Sequence, residues 1–350
     1  MVFIDRRIHM RTVGVYARVR IAMTPPPGDH RPALRVALGL AVPGVGLLLA
    51  GRPDLMIYAV FGAVTGMYGR AEPRQRRVLH QTQAAAILIA GVAIGVALSS
   101  MRAHPWALVV AAVVFVTVGS VVTDRLALKP EGPFYGVFAL GAVATVPAGR
   151  VSPAAAVSIC AATALLCIVL GALDAPRAHG LAPHSFTTPV QNVPIHAVRY
   201  AAAVAAAGTA GLFLGVDHAN WAIAAAAGPL AAADTRGRVR RGVHRLTGTL
   251  IGLVVAALLL VPHPDEYILA ICVMVLLFPT ELFMAHHHAI ALGFFTPLIM
   301  LMTDLAEPAE PLALLAYRGI DTVIGVAAAV GVALLLPGPG FSWTRCRQPG

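Results

Sequence analysis

Apolar positions in this chain fall in long blocks, not in alternation and not at scattered sites. Blocks of roughly 15 to 20 residues recur, mostly closed by Arg, Asp, Pro or Gly, and that is the length of helix needed to cross about 30 Å of hydrocarbon. Twelve such spans are predicted: Leu34–Ala50, Leu55–Tyr68, Gln83–Leu98, Trp106–Val122, Phe134–Val146, Val151–Leu173, Val198–Gly215, Trp221–Ala233, Leu246–Val261, Tyr267–Phe278, Ala289–Met302 and Ile320–Leu336. Several are shorter than a perpendicular crossing requires, so the helices should extend into flanking residues or the bilayer should thin. The fourth, fifth, tenth and eleventh have the weakest pattern. The expected fold class is an all-α membrane protein of about twelve transmembrane helices.

Composition agrees. Hydrophobic residues make up 58% and charged residues 12%, with a mean hydropathy of +0.78, against about 25% charged in a soluble domain. A soluble chain of 350 residues has no way to hide that much apolar surface, so the lipid bilayer is the expected surrounding partner. Residues 1–33 are Arg-rich but lack a short apolar region followed by a small-residue cleavage site, and read as a cytoplasmic leader.

The arginines give an orientation. With the amino terminus inside and twelve crossings, 22 of the 26 basic residues fall on the inner side and only Arg52, Arg102, Arg150 and Arg318 on the outer. That is a strong positive-inside signal and puts both termini in the cytoplasm of a cell-membrane protein. The stretch RGRVRRGVHRLTGTLIG, from Arg236 to Gly252, is then a cytoplasmic stop feeding the ninth span, with Arg236, Arg238, Arg240 and Arg241 as topology anchors. The net charge of +10 has the same origin. It does not indicate nucleic acid, because no aromatic-interleaved basic surface accompanies it.

Shifted by 164 positions, the sequence lies over itself without a gap. Ala33–Arg35 falls on Ala197–Arg199, Ile57 on Trp221, Pro133 on Pro297, and Arg74, Arg76, Arg77 and His80 on Arg238, Arg240, Arg241 and His244. Two parallel six-helix repeats are expected, residues 34–173 and 196–337, with a cytoplasmic linker over 174–195 and a tail over 338–350. Repeats of this kind commonly place a path between the halves.

Candidate chemistry concentrates in the second repeat. Arg245, Thr249 and Gly252 share a helix face at i, i+4 and i+7, and Arg318, Thr322 and Gly325 repeat the spacing. The shift puts Gln81, Ala85 and Leu88 opposite the first set. Gly248 and Gly252, like Gly91 and Gly95, form a step that lets a neighbouring helix approach closely, and Gly325 is a packing residue of the same type. The threonine hydroxyls close on the preceding turn or face a solute. Asp321 is a carboxylate just inside a span, where acids are functional candidates, and Arg318 one turn before it is its natural ion-pair partner. Arg245 begins the ninth apolar stretch and has the planar fork to hold a carboxylate by two hydrogen bonds. Trp221 suits an interfacial belt or a substrate path. Pro43, Pro229 and Pro297 fall inside spans and should free backbone groups there.

No metal site is expected: His286, His287 and His288 are adjacent and diverge on a helix. The cysteines Cys160, Cys167, Cys272 and Cys346 lack metal spacing. No nucleotide loop, nucleophile motif or paired carboxylates point to an enzyme, and no cofactor is expected.

Trp221, the basic loop RGRVRRGVHR, the motif R-x-x-G-T-x-x-G from Arg245 to Gly252 and its echo R-x-x-D-T-x-x-G from Arg318 to Gly325 resemble the fusaric acid resistance and aromatic acid exporter superfamily. The resemblance is clearest from about Ala197 to Leu336. It implies an inner-membrane transporter moving aromatic carboxylates or related organic anions outward, and a design similar to plant malate-permeable anion channels. Export of small organic anions driven by the proton gradient is the first expectation. Larger members carry a long cytoplasmic domain after a six-helix block, whereas here only Asp174–Ile195 joins the halves. Arg245, Thr249, Trp221, Arg318, Asp321 and Thr322 are the substrate-path candidates. A passive organic-anion channel and a non-transporting scaffold are the alternatives, and a homo-oligomer is left open.

Overall fold

The computed structural model describes residues 30–70, 72–174, 193–214, 219–232, 234–284 and 286–336. The expected leader before His30, most of the linker, the tail, Cys346, and Asp217 and His218 ahead of Trp221 lie outside the described residues. Every regular element among the described residues is helical. In chain order they are α1 (His30–Leu49), α2 (Met56–Ala63, between the 3-10 turns Pro53–Leu55 and Val64–Met67), α3 (Arg74–Ser100), α4 (Pro105–Arg125), α5 (Phe134–Ala144) and α6 (Pro153–Leu173). There follow α7 (Val193–Phe213), α8 (Ala219–Leu230), α9 (Thr235–Leu260), α10 (Glu266–Met284), α11 (His288–Ala306) and α12 (Pro311–Leu335).

Eight of these, α1, α3, α4, α6 and α9 to α12, are long and apolar enough to cross a membrane, so the chain is a multi-pass membrane protein by composition and helix length. The fourth, tenth and eleventh spans, weak by pattern, are thus full-length helices. Of the twelve crossings expected, α2, α5 and α8 are short and α7 falls outside the eight. The short helices are almost wholly buried: all eight residues of α2 are enclosed, as are Trp221 to Ala227 of α8. Long helices instead turn exposed apolar stripes outward at a four-residue repeat, Val110, Val114 and Val118 on α4 and Leu250, Val254 and Leu258 on α9. Lipid tails suit such stripes, which would be a liability in water.

Both basic stretches expected as loops are helical. α3 starts at Arg74, not Gln83, and α9 at Thr235, not Leu246. Arginine is a good helix former, and Asp234 caps α9 by accepting from Gly237 N at 3.1 Å. Their long stems let charged turns continue an apolar helix, with guanidiniums either exposed, as on Arg74 and Arg236, or bonded to backbone carbonyls, as on Arg77 and Arg238.

Glycine sets the close crossings. A Cβ on Gly248 would stand 2.5 Å from Ala289 O and one on Gly252 2.6 Å from Thr296 Cβ, so α9 and α11 run parallel and in contact. Gly91 and Gly95 do the same for α3 against Gly136 and Leu140 of α5; Gly62 packs α2 on Cys160, Thr163 and Ala164 of α6, and Gly66, in the 3-10 turn that follows, meets Val36 of α1 and Cys167 of α6. Gly325 lies against Ala222, Ala225 and Ala226, which packs α12 closely on α8. Gly242 faces Val326 and Gly319 faces Leu253, so α9 and α12 are antiparallel. Across the middle of the chain, α4 packs on α7, α10 on α1, α5 on α8 and α11 on α2.

Polar clamps hold the helix ends. Asp174, after α6, takes Arg35 Nη1 at 2.8 Å and Arg77 Nη1 at 3.4 Å, and Arg77 Nε also donates to Gly171 O. Arg199 Nε donates to Leu336 O at 2.7 Å after α12. Arg70 Nη1 reaches Glu281 Oε1 at 3.0 Å, joining the turn after α2 to α10. At the opposite ends, Arg52 pairs with Asp54 at 2.8 Å and donates to Arg150 O. The Asp54 carboxylate, through its hydrogen bond first and its charge second, raises the Arg52 pKa above the ordinary guanidinium value.

Candidate functional site

The site is assembled from buried faces of α9 and α12 against aromatic rings on α5 and α8. On α9 the buried positions include Arg238, Gly242, Arg245, Gly248, Thr249 and Gly252, a stripe at helical spacing. On α12 they include Arg318, Asp321, Thr322 and Gly325. The faces read from the i, i+4, i+7 spacing are therefore the faces that the fold encloses. The antiparallel register of Gly242 with Val326 and Leu253 with Gly319 sets Arg245 and Thr249 at the level of Thr322 and Arg318.

Arg245 is 2% exposed, and its guanidinium carbon lies 4.9 Å from the centre of the Phe134 ring. Gly228 on α8 makes room for it, since a Cβ there would stand 2.9 Å from Nη1. Its Nε is enclosed and has no hydrogen-bond partner. Arg318, 1% exposed, lies 5.3 Å from the Trp221 ring and 6.0 Å from Phe138, with Nε and Nη1 both enclosed and unpartnered. Phe134 and Phe138, one turn apart on α5, stack with centroids 5.9 Å apart, and Phe138 meets Phe295 of α11 edge-on at 6.0 Å. One aromatic column thus carries two guanidiniums.

Asp321 is fully enclosed, yet neither carboxylate oxygen has a hydrogen-bond partner, and no ion pair closes with Arg318 within 4.0 Å. The ion pair expected from the i, i+3 spacing does not form, because Arg318 is drawn to the rings of Trp221 and Phe138. Thr322 does what its type does in apolar helices: Oγ1 donates to Arg318 O at 2.8 Å. Trp221 is 1% exposed, which overturns the belt reading; α8 is too short and too enclosed to hold it at an interface.

An unpaired buried charge is costly, and a cation over a ring recovers only about 0.5–2 kcal/mol. Two guanidiniums against one carboxylate, all enclosed, form a positive interior site with donor capacity to spare.

Of the four anchoring arginines, Arg236 and Arg240 are exposed. Arg238 is buried, with Nε donating to Ala232 O at 3.0 Å, and Arg241 pairs with Glu131 at 3.4 Å. These two are fastened into the fold and do not serve as plain surface charges. The sequence reading missed the partners on α5, although FYGVF spaces Phe134 and Phe138 on one helix face. It also missed Arg70 with Glu281, and His196, whose ring lies between Asp124 Oδ2 at 2.7 Å and Leu230 O at 3.1 Å. An apolar cavity of about 330 Å³ between α1 and α6, lined by Val42, Pro43, Ile159 and Leu166 among others, touches none of the site residues.

A family model described as fusaric acid resistance protein-like matches residues 202–332. The match covers Trp221, Arg245, Thr249, Arg318, Asp321 and Thr322. Compared with the curated proteins and with the solved structures, the chain matches none.

Proposed function

We propose that this chain, fusaric acid resistance protein-like over residues 202–332, is a transporter that exports small organic anions, aromatic carboxylates first among them, across the cell membrane. The observation that carries the reading is the pair of enclosed guanidiniums, Arg245 and Arg318, held on aromatic rings without a hydrogen-bonded counter-ion. Arg245 offers the carboxylate a planar fork, Trp221 and the α5 phenylalanines flank its apolar body, and Thr249 and Thr322 line the neighbouring helix faces. The basic start of α9 concentrates anions at the cytoplasmic mouth. The proton gradient drives export.

The proposed frame is twelve crossings in two parallel six-helix repeats with both termini cytoplasmic. Support comes from the shift of 164, which carries α1 onto α7, α3 onto α9 and α6 onto α12 to within a few residues. The packing supports it too: α4 on α7 is matched by α10 on α1, and α5 on α8 by α11 on α2, as a two-fold relation between halves requires. Helices an even number apart, α2 with α6, α3 with α5 and α9 with α11, run parallel, as alternate crossings demand. Arg35 and Arg199, equivalent under the shift, each clamp the end of the last helix of their own half.

The deciding experiment is counterflow of labelled hydroxybenzoate in vesicles holding the purified chain. Accelerated exchange over empty vesicles, lost in Arg245→Gln and Arg318→Gln, is the expected result. No exchange across a broad panel of carboxylates would leave the reading without support.

A further inference from the structure

Asp321 has no evident structural job. It is enclosed, its oxygens accept no hydrogen bond, and it does not close on Arg318. A carboxylate in such a place is expensive, yet Asn has nearly the same shape at far lower cost. What distinguishes Asp from Asn at such a position is charge.

The charge balance of the cluster is short. Arg245 and Arg318 contribute two positive charges and Asp321 one negative. Of the elements packed around them, α5 presents Phe134, Tyr135 and Phe138, and α8 presents Asn220 and Trp221, all uncharged. α10 presents Glu281, neutralised by Arg70. α11 presents Phe295 and Thr296 and, at its start, His288. Between fixed charges the interior site is therefore net +1, and in a low-dielectric interior any uncompensated charge weighs far more than in water.

We infer that Asp321 is a specificity-determining residue that sets the valence of the transported anion, so that the site accepts monoanions and rejects dianions. A monocarboxylate brings the cluster to neutrality. A dicarboxylate of the same size leaves it at −1, with Asp321 repelling the second carboxylate. The inference rests on the proposed transport reading and deepens it.

The test is competition at pH 8, where both probes are fully ionised and imidazoles such as that of His288 are uncharged. The purified full chain is placed in vesicles, labelled benzoate is the reporter, and unlabelled benzoate and phthalate compete. The wild type should prefer benzoate by about tenfold or more, equivalent to roughly 1.4 kcal/mol. Asp321→Asn, net +2, should shift the ratio toward phthalate by about tenfold or more. An unchanged ratio in Asp321→Asn, or a wild type that takes phthalate as well as benzoate, overturns the inference and leaves transport standing. Should Asp321→Asn not be recoverable from the membrane, the wild-type ratio alone decides. A wild type that takes neither probe overturns the transport reading and this inference with it.

Discussion

Arg245 on α9 and Phe134 on α5 meet across the middle of the chain, guanidinium over ring at 4.9 Å, with no carboxylate closing on the arginine. The contact commits Arg245 to a plane. Its donors then point along the edges of that plane, a geometry that a lysine ammonium lacks. Arg245→Lys is expected to keep expression and insertion while lowering carboxylate exchange about tenfold, the scale of one charged hydrogen bond. Arg240→Lys, at an exposed position of the same helix, should leave exchange unchanged. Equal exchange by the two variants at matched expression would remove the special role of Arg245.

Helix separation gives a second measurement. A leucine at Gly252 has to displace Thr296 and the backbone of α11, and overpacking of that kind costs about 1–3 kcal/mol. Gly331→Ala should be neutral or raise stability by about 0.5–1 kcal/mol, because nothing lies within 4 Å of a Cβ there and α12 gains helix propensity. Thermal unfolding of the two variants in the same detergent separates them: the first lowers the midpoint and the second does not.

Arg70 and Glu281 form an ion pair in which the carboxylate is 2% exposed. Arg70→Met alone leaves that carboxylate buried without its cation, at a cost of about 3 kcal/mol. The double change Arg70→Met with Glu281→Leu should recover part of the loss. Unfolding midpoints that fall further in the double variant than in the single would show that the pair does not act as a unit.

Orientation is open to direct labelling. Arg102 and Arg236 are both exposed, and the proposed topology puts them on opposite sides of the membrane. In intact spheroplasts an impermeant maleimide should modify Arg102→Cys and spare Arg236→Cys until the membrane is broken. Labelling of Arg236→Cys in intact cells would invert the proposed frame. Cys160 and Cys167 are buried, so changing Cys272 and Cys346 to Ser leaves a low-background parent for the labelling.

Much of the helical layout was legible because lipid imposes a simple rule on sequence: a long apolar block means a helix long enough to cross. The rule failed where helices are enclosed by protein instead of lipid. α2, α5 and α8 are apolar throughout and short, and periodicity does not tell an enclosed helix from a weak span. It failed again at helix starts, since Arg74 and Arg236 read as loop by charge but are helical by propensity. The buried faces of α9 and α12 were readable because spacing is local. Their partners Phe134 and Phe138 were not, since a contact between residues more than a hundred positions apart leaves no local period. The Arg318–Asp321 pair misled for a related reason: spacing permits an ion pair, but the ring of Trp221 competes for the same guanidinium.

The way helices are traded between halves has a consequence for biogenesis. α1 finds its neighbour in α10 and α4 finds its own in α7, so faces made early wait for helices made late. A ribosome delivers the amino-terminal half first. While the remainder is being translated, those faces have only lipid, insertase or chaperone to cover them. Maturation is thus paced by completion of the polypeptide, and a stalled or truncated nascent chain would present the membrane quality-control machinery with a half-formed bundle whose unfilled seams are the signal for its removal.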